Sequence, residues 1–171
     1  MSTQFEIRNK IAENTSLVNF DISGLRPKGK RIGIDMKNFL FNELILKEKD
    51  FRKHVSDIDI EKYKDSFVYI YCSSDAIIPL WSHFLLANKL MKIAKKVIYG
   101  SEKELEILLF HDALLEYDFS EMKEKRILIK GCSDNIPENA YVELLEKLRP
   151  IAKSVMFGEA CSNIPIFKKL K

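Results

Sequence analysis

The stretch KLMKIAKKVIYG, Lys89 to Gly100, returns as KLRPIAKSVMFG, Lys147 to Gly158, at a constant offset of 58. Leu90, Ile93, Ala94, Lys95, Val97 and Gly100 meet identical counterparts in Leu148, Ile151, Ala152, Lys153, Val155 and Gly158. Each copy reads as a helix end, a short strand and a glycine stop. Upstream of each lies a strand-like run and then a cysteine: Phe67-Val68-Tyr69-Ile70-Tyr71 before Cys72, and Arg126-Ile127-Leu128-Ile129-Lys130 before Cys132, the cysteines being offset by 60. Strand, cysteine, helix, strand, glycine is a βαβ unit written twice, which implies parallel pairing. The shared Ile-Ala-Lys-x-Val-x-aromatic-Gly string favours a true repeat over chance similarity between two such units. The predicted fold is α/β: a single domain over 1–171 with a mainly parallel sheet from βαβ repeats at 66–100 and 125–158, helices on its faces, and an N-terminal αβ extension over 1–60.

Working outward, Phe5 to Asn14 is predicted as a short amphipathic helix, Leu17 to Ile22 and Arg31 to Asp35 as strands, and 24–30 as the turn between them. The run Met36 to Leu46 is apolar on both parities, which leaves helix and strand open, and Lys47 to His54 reads as a solvent-facing helical turn. Phe67 to Tyr71 fits a strand buried on both faces. Asp75 is the expected cap of a helix that tolerates Pro79 in its first turn and runs to about Ala94. Its broad apolar surface of Leu80, Trp81, Phe84, Leu85, Leu86, Leu90 and Ile93 is expected to lie on a sheet. Strands at Lys96 to Tyr99 and Arg126 to Lys130 bracket a helix from Glu102 to Leu115.

With 171 residues, 46% hydrophobic and 31% charged, the chain is long enough to bury a core without staples. Lys plus Arg total 28 against 25 for Asp plus Glu, and a net charge of +3 is too small to argue for nucleic acid or an anionic membrane, so neither is expected as partner. The basic runs Lys28-Gly29-Lys30-Arg31 and Lys168-Lys169-Leu170-Lys171 read as a solvated loop and a chain end. The amino terminus is too charged for a secretion signal and no stretch reaches membrane-span length, so the expected location is cytoplasmic. In a reducing compartment three cysteines are expected as free, ligating or reactive thiols rather than as disulfides.

All three sit in one recurring phrase: Cys72-Ser73-Ser74-Asp75-Ala76-Ile77-Ile78-Pro79, Cys132-Ser133-Asp134-Asn135-Ile136-Pro137 and Cys161-Ser162-Asn163-Ile164-Pro165. Ligands of open α/β sheets bind beyond the carboxyl ends of the strands, where each phrase falls. The expectation is a metal site of Cys72, Cys132 and Cys161 with Glu159 as the nearest carboxylate. Its occupant would be Zn, with a fourth ligand from His83, Asp75, Asp134, Glu159 or water, or an iron-sulfur cluster. Two other readings stand beside it: a thiol or sulfur-transfer enzyme with one nucleophilic cysteine at a helix start, and a non-catalytic interaction domain whose cysteines only pack. His54 and His111 lie in charged helical surroundings and are assigned no role. Neither GxGxxG nor a Walker loop is present, nor HExxH nor GxSxG, so nucleotide-binding and hydrolase readings lack a motif.

The strings Leu44 to Arg52, Cys72 to Pro79, Lys130-Gly131-Cys132-Ser133 and Phe157-Gly158-Glu159-Ala160-Cys161-Ser162 resemble a bacterial family known as domain of unknown function 2480. The resemblance covers nearly the whole chain. It implies no assigned activity, but an association with iron-sulfur cluster assembly genes, and so favours iron-sulfur metabolism and assembly proteins as partners over a structural zinc.

Overall fold

The computed structural model describes residues 17–131 and 135–170. The expected helix at Phe5 to Asn14 lies outside them. In chain order the elements are β1 (Leu17–Asp21), β2 (Arg31–Asp35), α1 (Glu48–Asp57), β3 (Phe67–Tyr71), α2 (Leu80–Leu90), β4 (Lys96–Tyr99), α3 (Glu102–Glu116), β5 (Arg126–Lys130), α4 (Glu138–Leu148), β6 (Ser154–Glu159) and β7 (Ser162–Lys168). They form two compact units: an inserted unit, Pro27–Leu109, and a flanking unit made of the chain up to Arg26 and from Phe110 onward.

The α/β class and the mainly parallel pairing are as expected, but the strands are divided over two sheets. The inserted unit holds the parallel sheet β2-β3-β4, and the flanking unit holds β1-β5-β6-β7, parallel except for the β6-β7 hairpin. The division follows from the N-terminal strands. β2 pairs with β3, Asp35 opposite Tyr71, and β1 pairs with β5, Asp21 opposite Lys130. Each repeat's first strand thereby has a neighbour on both sides, which leaves no edge there for the other repeat to join. The N-terminal segment is thus the opening strand of each of the two repeats.

The two units match further than the sequence repeat suggests. Each opening strand ends in an aspartate that caps a 3-10 turn: Asp21 accepts from the Ser23 amide at 2.9 Å, and Asp35 from the Lys37 amide at 3.0 Å. The residue after each, Ile22 or Met36, is fully buried. Phe51 of α1 and Phe110 of α3 are equivalent at an offset of 59, and both are inaccessible to solvent. Leu86 and Leu90 of α2 correspond to Leu144 and Leu148 of α4 in the respective cores. Burying one such side chain is worth about 1.5–3 kcal/mol. In linear order the repeats are nested, since the flanking unit resumes at Phe110 after the inserted one ends.

The repeated Ile-Ala-Lys string has a structural cause. α2 stops at Leu90, short of Ala94, because the amides of Ile93 and Ala94 both fold back onto the Leu90 carbonyl. α4 ends identically, with Ile151 and Ala152 on Leu148. The Ile carbonyl then accepts from a left-handed residue, Asp65 or Glu124, and the Lys amide donates to Ser66 or Lys125, which sets the strand register. Gly100 and Gly158 follow with φ of 145° and 122°, a conformation side chains rarely adopt.

Two expectations at α2 are corrected. Asp75 does not cap the helix, whose N-cap is Pro79; a residue preceding proline is disfavoured from helical geometry, so helix cannot form upstream. Leu80 and Phe84 do not lie on the sheet but are 76% and 74% exposed, while Trp81, Leu85, Leu86 and Leu90 pack in the core with Phe51 and Ile70. The undecided run after Met36 is neither helix nor strand. A 3-10 turn, Met36–Phe39, leads into a tight loop closed by the Phe41–Ile45 bridge, with Asn42 and Glu43 both left-handed at φ 48° and 62°.

Candidate functional site

The carboxyl end of the inserted unit's sheet collects the polar chemistry. Asp35 ends β2, Tyr71-Cys72-Ser73-Ser74 leaves the central strand β3, and Tyr99-Gly100-Ser101 leaves β4. The Asp35 carboxylate accepts from the Ser73 amide at 3.0 Å and the Ser73 hydroxyl at 2.5 Å, besides the Lys37 amide. Burial pushes the Asp35 carboxyl up, but these bonds and the Lys37 charge outweigh it, and its pKa lies below the usual value. The carboxylate therefore pins the loop that carries Cys72 to the neighbouring strand.

Cys72 is half-buried, and its Sγ lies 3.3 Å from the Ser74 hydroxyl. The Lys37 ammonium pairs with Glu43 at 2.9 Å. Glu43 holds that lysine above its ordinary pKa, and smaller electrostatic contributions come from Asp35 and the Cys72 sulfur. The Ser74 hydroxyl thus contacts the thiol at this strand end, and the Lys37 ammonium lies within electrostatic range of it. Elsewhere on the same sheet, the Tyr69 and Tyr71 rings stack at 5.7 Å on the face opposite Val68 and Ile70, and His83 of α2 meets Tyr99 of β4 edge-on at 4.5 Å. Burial lowers the His83 pKa. At the start of α3, Ser101 and Glu104 form a reciprocal capping box.

The other expected ligands are placed differently. Glu159 is the last residue of β6 and pairs with Ser162, so Ala160 and Cys161 form a two-residue turn between β6 and β7. Cys161 is exposed there. Cys132 and Asp134 lie outside the described residues. Among the described residues, no three His, Cys, Asp or Glu side chains converge as a metal would require. The strand register also shifts the equivalence drawn from the cysteine phrases. Cys72 follows the residue opposite Asp35, and the residue that follows the partner of Asp21 is Gly131. A Cβ at Gly131 would fall 1.9 Å from the Phe157 ring, so that position in the flanking unit is filled by an aromatic side chain.

Asp35, Lys37 and Glu43 were not anticipated as site residues. The available signal was that Arg31-Ile32-Gly33-Ile34-Asp35 places its carboxylate at a strand end directly before a turn. His111, half-exposed, hydrogen-bonds Glu143, and Arg31 pairs with Glu106 at 2.6 Å with both side chains nearly buried. Among the described residues no helix is long and apolar enough to cross a membrane.

Comparison with known proteins gives no match among curated proteins, and no solved structure matches. A family model does match, over residues 5–169, and its description is "Protein of unknown function (DUF2480)". Since that match spans almost the entire chain, the protein belongs to the DUF2480 family.

Proposed function

We propose that the inserted unit is a thiol-chemistry centre in which Cys72 is the nucleophile. The observation that carries this reading is the Cys72 Sγ held 3.3 Å from the Ser74 hydroxyl, at the carboxyl end of the central parallel strand and within electrostatic range of Lys37. In this reading Ser74 orients the sulfur, Asp35 and Ser73 fix the loop, and Lys37 offers a positive charge to an incoming substrate or to the developing thiolate. Such chemistry suits a reducing compartment, in keeping with a cytoplasmic location. Iodoacetamide labelling resolved by peptide mass tests it. Half-buried Cys72 is expected to react at least about tenfold faster than exposed Cys161, and Ser74→Ala and Lys37→Ala are expected to remove that advantage. Labelling in simple order of exposure refutes the reading.

A second reading is a metal- or iron-sulfur-binding accessory protein that works with cluster assembly proteins and uses Cys72, Cys132, Cys161 and Glu159. It rests on the recurring cysteine phrase and on Glu159 and Cys161 sharing one hairpin. Stoichiometric Zn or Fe in anaerobically purified protein, lost in both Cys72→Ser and Cys161→Ser, would support it. Metal-free protein would end it.

A further inference from the structure

A second site is formed on the inserted unit by the loop that follows the Met36–Phe39 turn. Phe39, Leu40 and Phe41 from that segment, Lys47 at the N-cap of α1, and Asp50, Lys53 and His54 of α1 line a surface cleft of about 350 Å³. That volume lies within the range of small-molecule pockets. Its lining divides into two chemistries. Phe39, Leu40 and Phe41 supply an apolar lining with two aromatic rings, and the Lys47 ammonium sits 3.4 Å from the centre of the Phe41 ring. Lys47 and Lys53 bring two positive charges against the single carboxylate of Asp50, with His54 beside them.

Three further observations favour an anionic occupant. The inserted unit carries 15 of the 28 Lys and Arg and 12 of the 25 Asp and Glu, so the chain's entire net charge of +3 resides in it. The first turn of α1 has no side-chain cap, which leaves backbone amide donors beside Lys47, and of the two carboxylates in that turn Glu48 is paired with Arg52 at 2.9 Å. The loop is also held in a costly form. Asn42 and the non-glycine, non-asparagine Glu43 are both left-handed, with Glu43 paired to Lys37, and the neighbouring Phe41 is 48% exposed. Strain of this kind persists where the surroundings impose it and gathers at ligand clamps.

We propose that this cleft binds an organic anion with a planar apolar body, its ring held by Phe39 and Phe41 and its charge by Lys47 and Lys53. The residues that line this cleft are not those of the thiol reading, although the Lys37–Glu43 pair adjoins both. Anilinonaphthalene sulfonate, fused rings bearing one sulfonate, is the probe, and phenylnaphthylamine is the same body without the charge. Fluorescence titration of the full chain is expected to show saturable binding of one sulfonate probe, at least about tenfold tighter than the neutral analogue and weakened about tenfold by Lys53→Glu or Lys47→Glu. Phe84→Ser, on the exposed apolar ridge of α2, is expected to leave binding unchanged. Lys53→Gln, which removes a charge from an exposed position without adding one, is expected to give a smaller loss in the same direction. Equal affinity for the neutral analogue, indifference to all three lysine variants, or loss of binding in Phe84→Ser overturns the proposal.

Discussion

Replacing Asp35 by alanine isolates the contact that distinguishes the inserted unit from the flanking one. In the flanking unit Asp21 caps only its own turn, through the Ser23 amide at 2.9 Å and hydroxyl at 2.6 Å. Loss of such a cap costs about 1 kcal/mol. Asp35 makes the equivalent bond to Lys37 and adds two across the sheet, from the Ser73 amide and hydroxyl. Hydrogen bonds to a charged acceptor contribute about 1.5–3 kcal/mol each when well buried, and for this half-buried carboxylate about 1 kcal/mol each is appropriate. Asp35→Ala is therefore expected to destabilise by about 3 kcal/mol, against about 1 for Asp21→Ala. Urea unfolding reads both: far-UV circular dichroism follows the whole chain, and fluorescence follows Trp81, the only tryptophan, which packs 5.7 Å from Phe51 in the inserted unit. The pH dependence gives an internal check. A carboxyl depressed in the folded state stabilises fully above its unfolded pKa, about 4, and loses that contribution as pH falls through the lower folded value. The gap between wild type and Asp35→Ala is expected to hold at neutral pH and to close only below about pH 4. An Asp35→Ala cost no larger than that of Asp21→Ala, or a gap that widens on acidification, refutes the reasoning.

Other substitutions test the rest of the architecture. Phe51→Ala and Phe110→Ala, at equivalent and fully buried positions, are each expected to cost about 3–5 kcal/mol in urea unfolding. Glu106→Gln leaves the nearly buried Arg31 guanidinium without its counter-charge and is expected to cost about 3 kcal/mol, reduced by the two carbonyls, Pro27 and Gly29, that Arg31 also reaches. Gly131→Ala forces the Phe157 ring to move and is expected to cost about 1–3 kcal/mol, with much of that recovered in the double variant Gly131→Ala, Phe157→Leu.

The strands and the longest helix were readable because their signals are local. Phe67 to Tyr71, Lys96 to Tyr99 and Arg126 to Lys130 emerge at the stated residues, and the helix expected from Glu102 to Leu115 ends one residue later. The partition into two sheets was not readable, because pairing of β1 with β5 spans more than a hundred residues and leaves no local trace. The start of α2 misled for a definable reason. Asp75 has the chemistry of a cap, but Ile78-Pro79 restricts the backbone between it and the helix. At the candidate site Cys72 was singled out by the recurrence of its phrase. Its partners were missed because Asp35 and Lys37 lie more than thirty residues upstream and meet it only through strand pairing.

The nested repeat also bears on where the chemistry resides. Two units of common plan retain the same buried pairs, Phe51 with Phe110 and Leu86 with Leu144, because those positions hold each core together. What the core does not require is free to diverge, and the divergence is one-sided. Only the inserted unit has a cysteine directly at the end of its central strand, where the flanking unit has Gly131 closed over by Phe157. Its counterpart of the strained Asn42-Glu43 loop is absent among the described left-handed residues of the flanking unit. The flanking unit instead adds β7, which covers the edge of β6, while the matching edge of β4 has no strand partner among the described residues. A repeat that gains a covering strand has been consolidated. Under the proposed reading, the half assigned the chemistry is the one that keeps a half-buried thiol at the end of its central strand and all of the chain's excess positive charge.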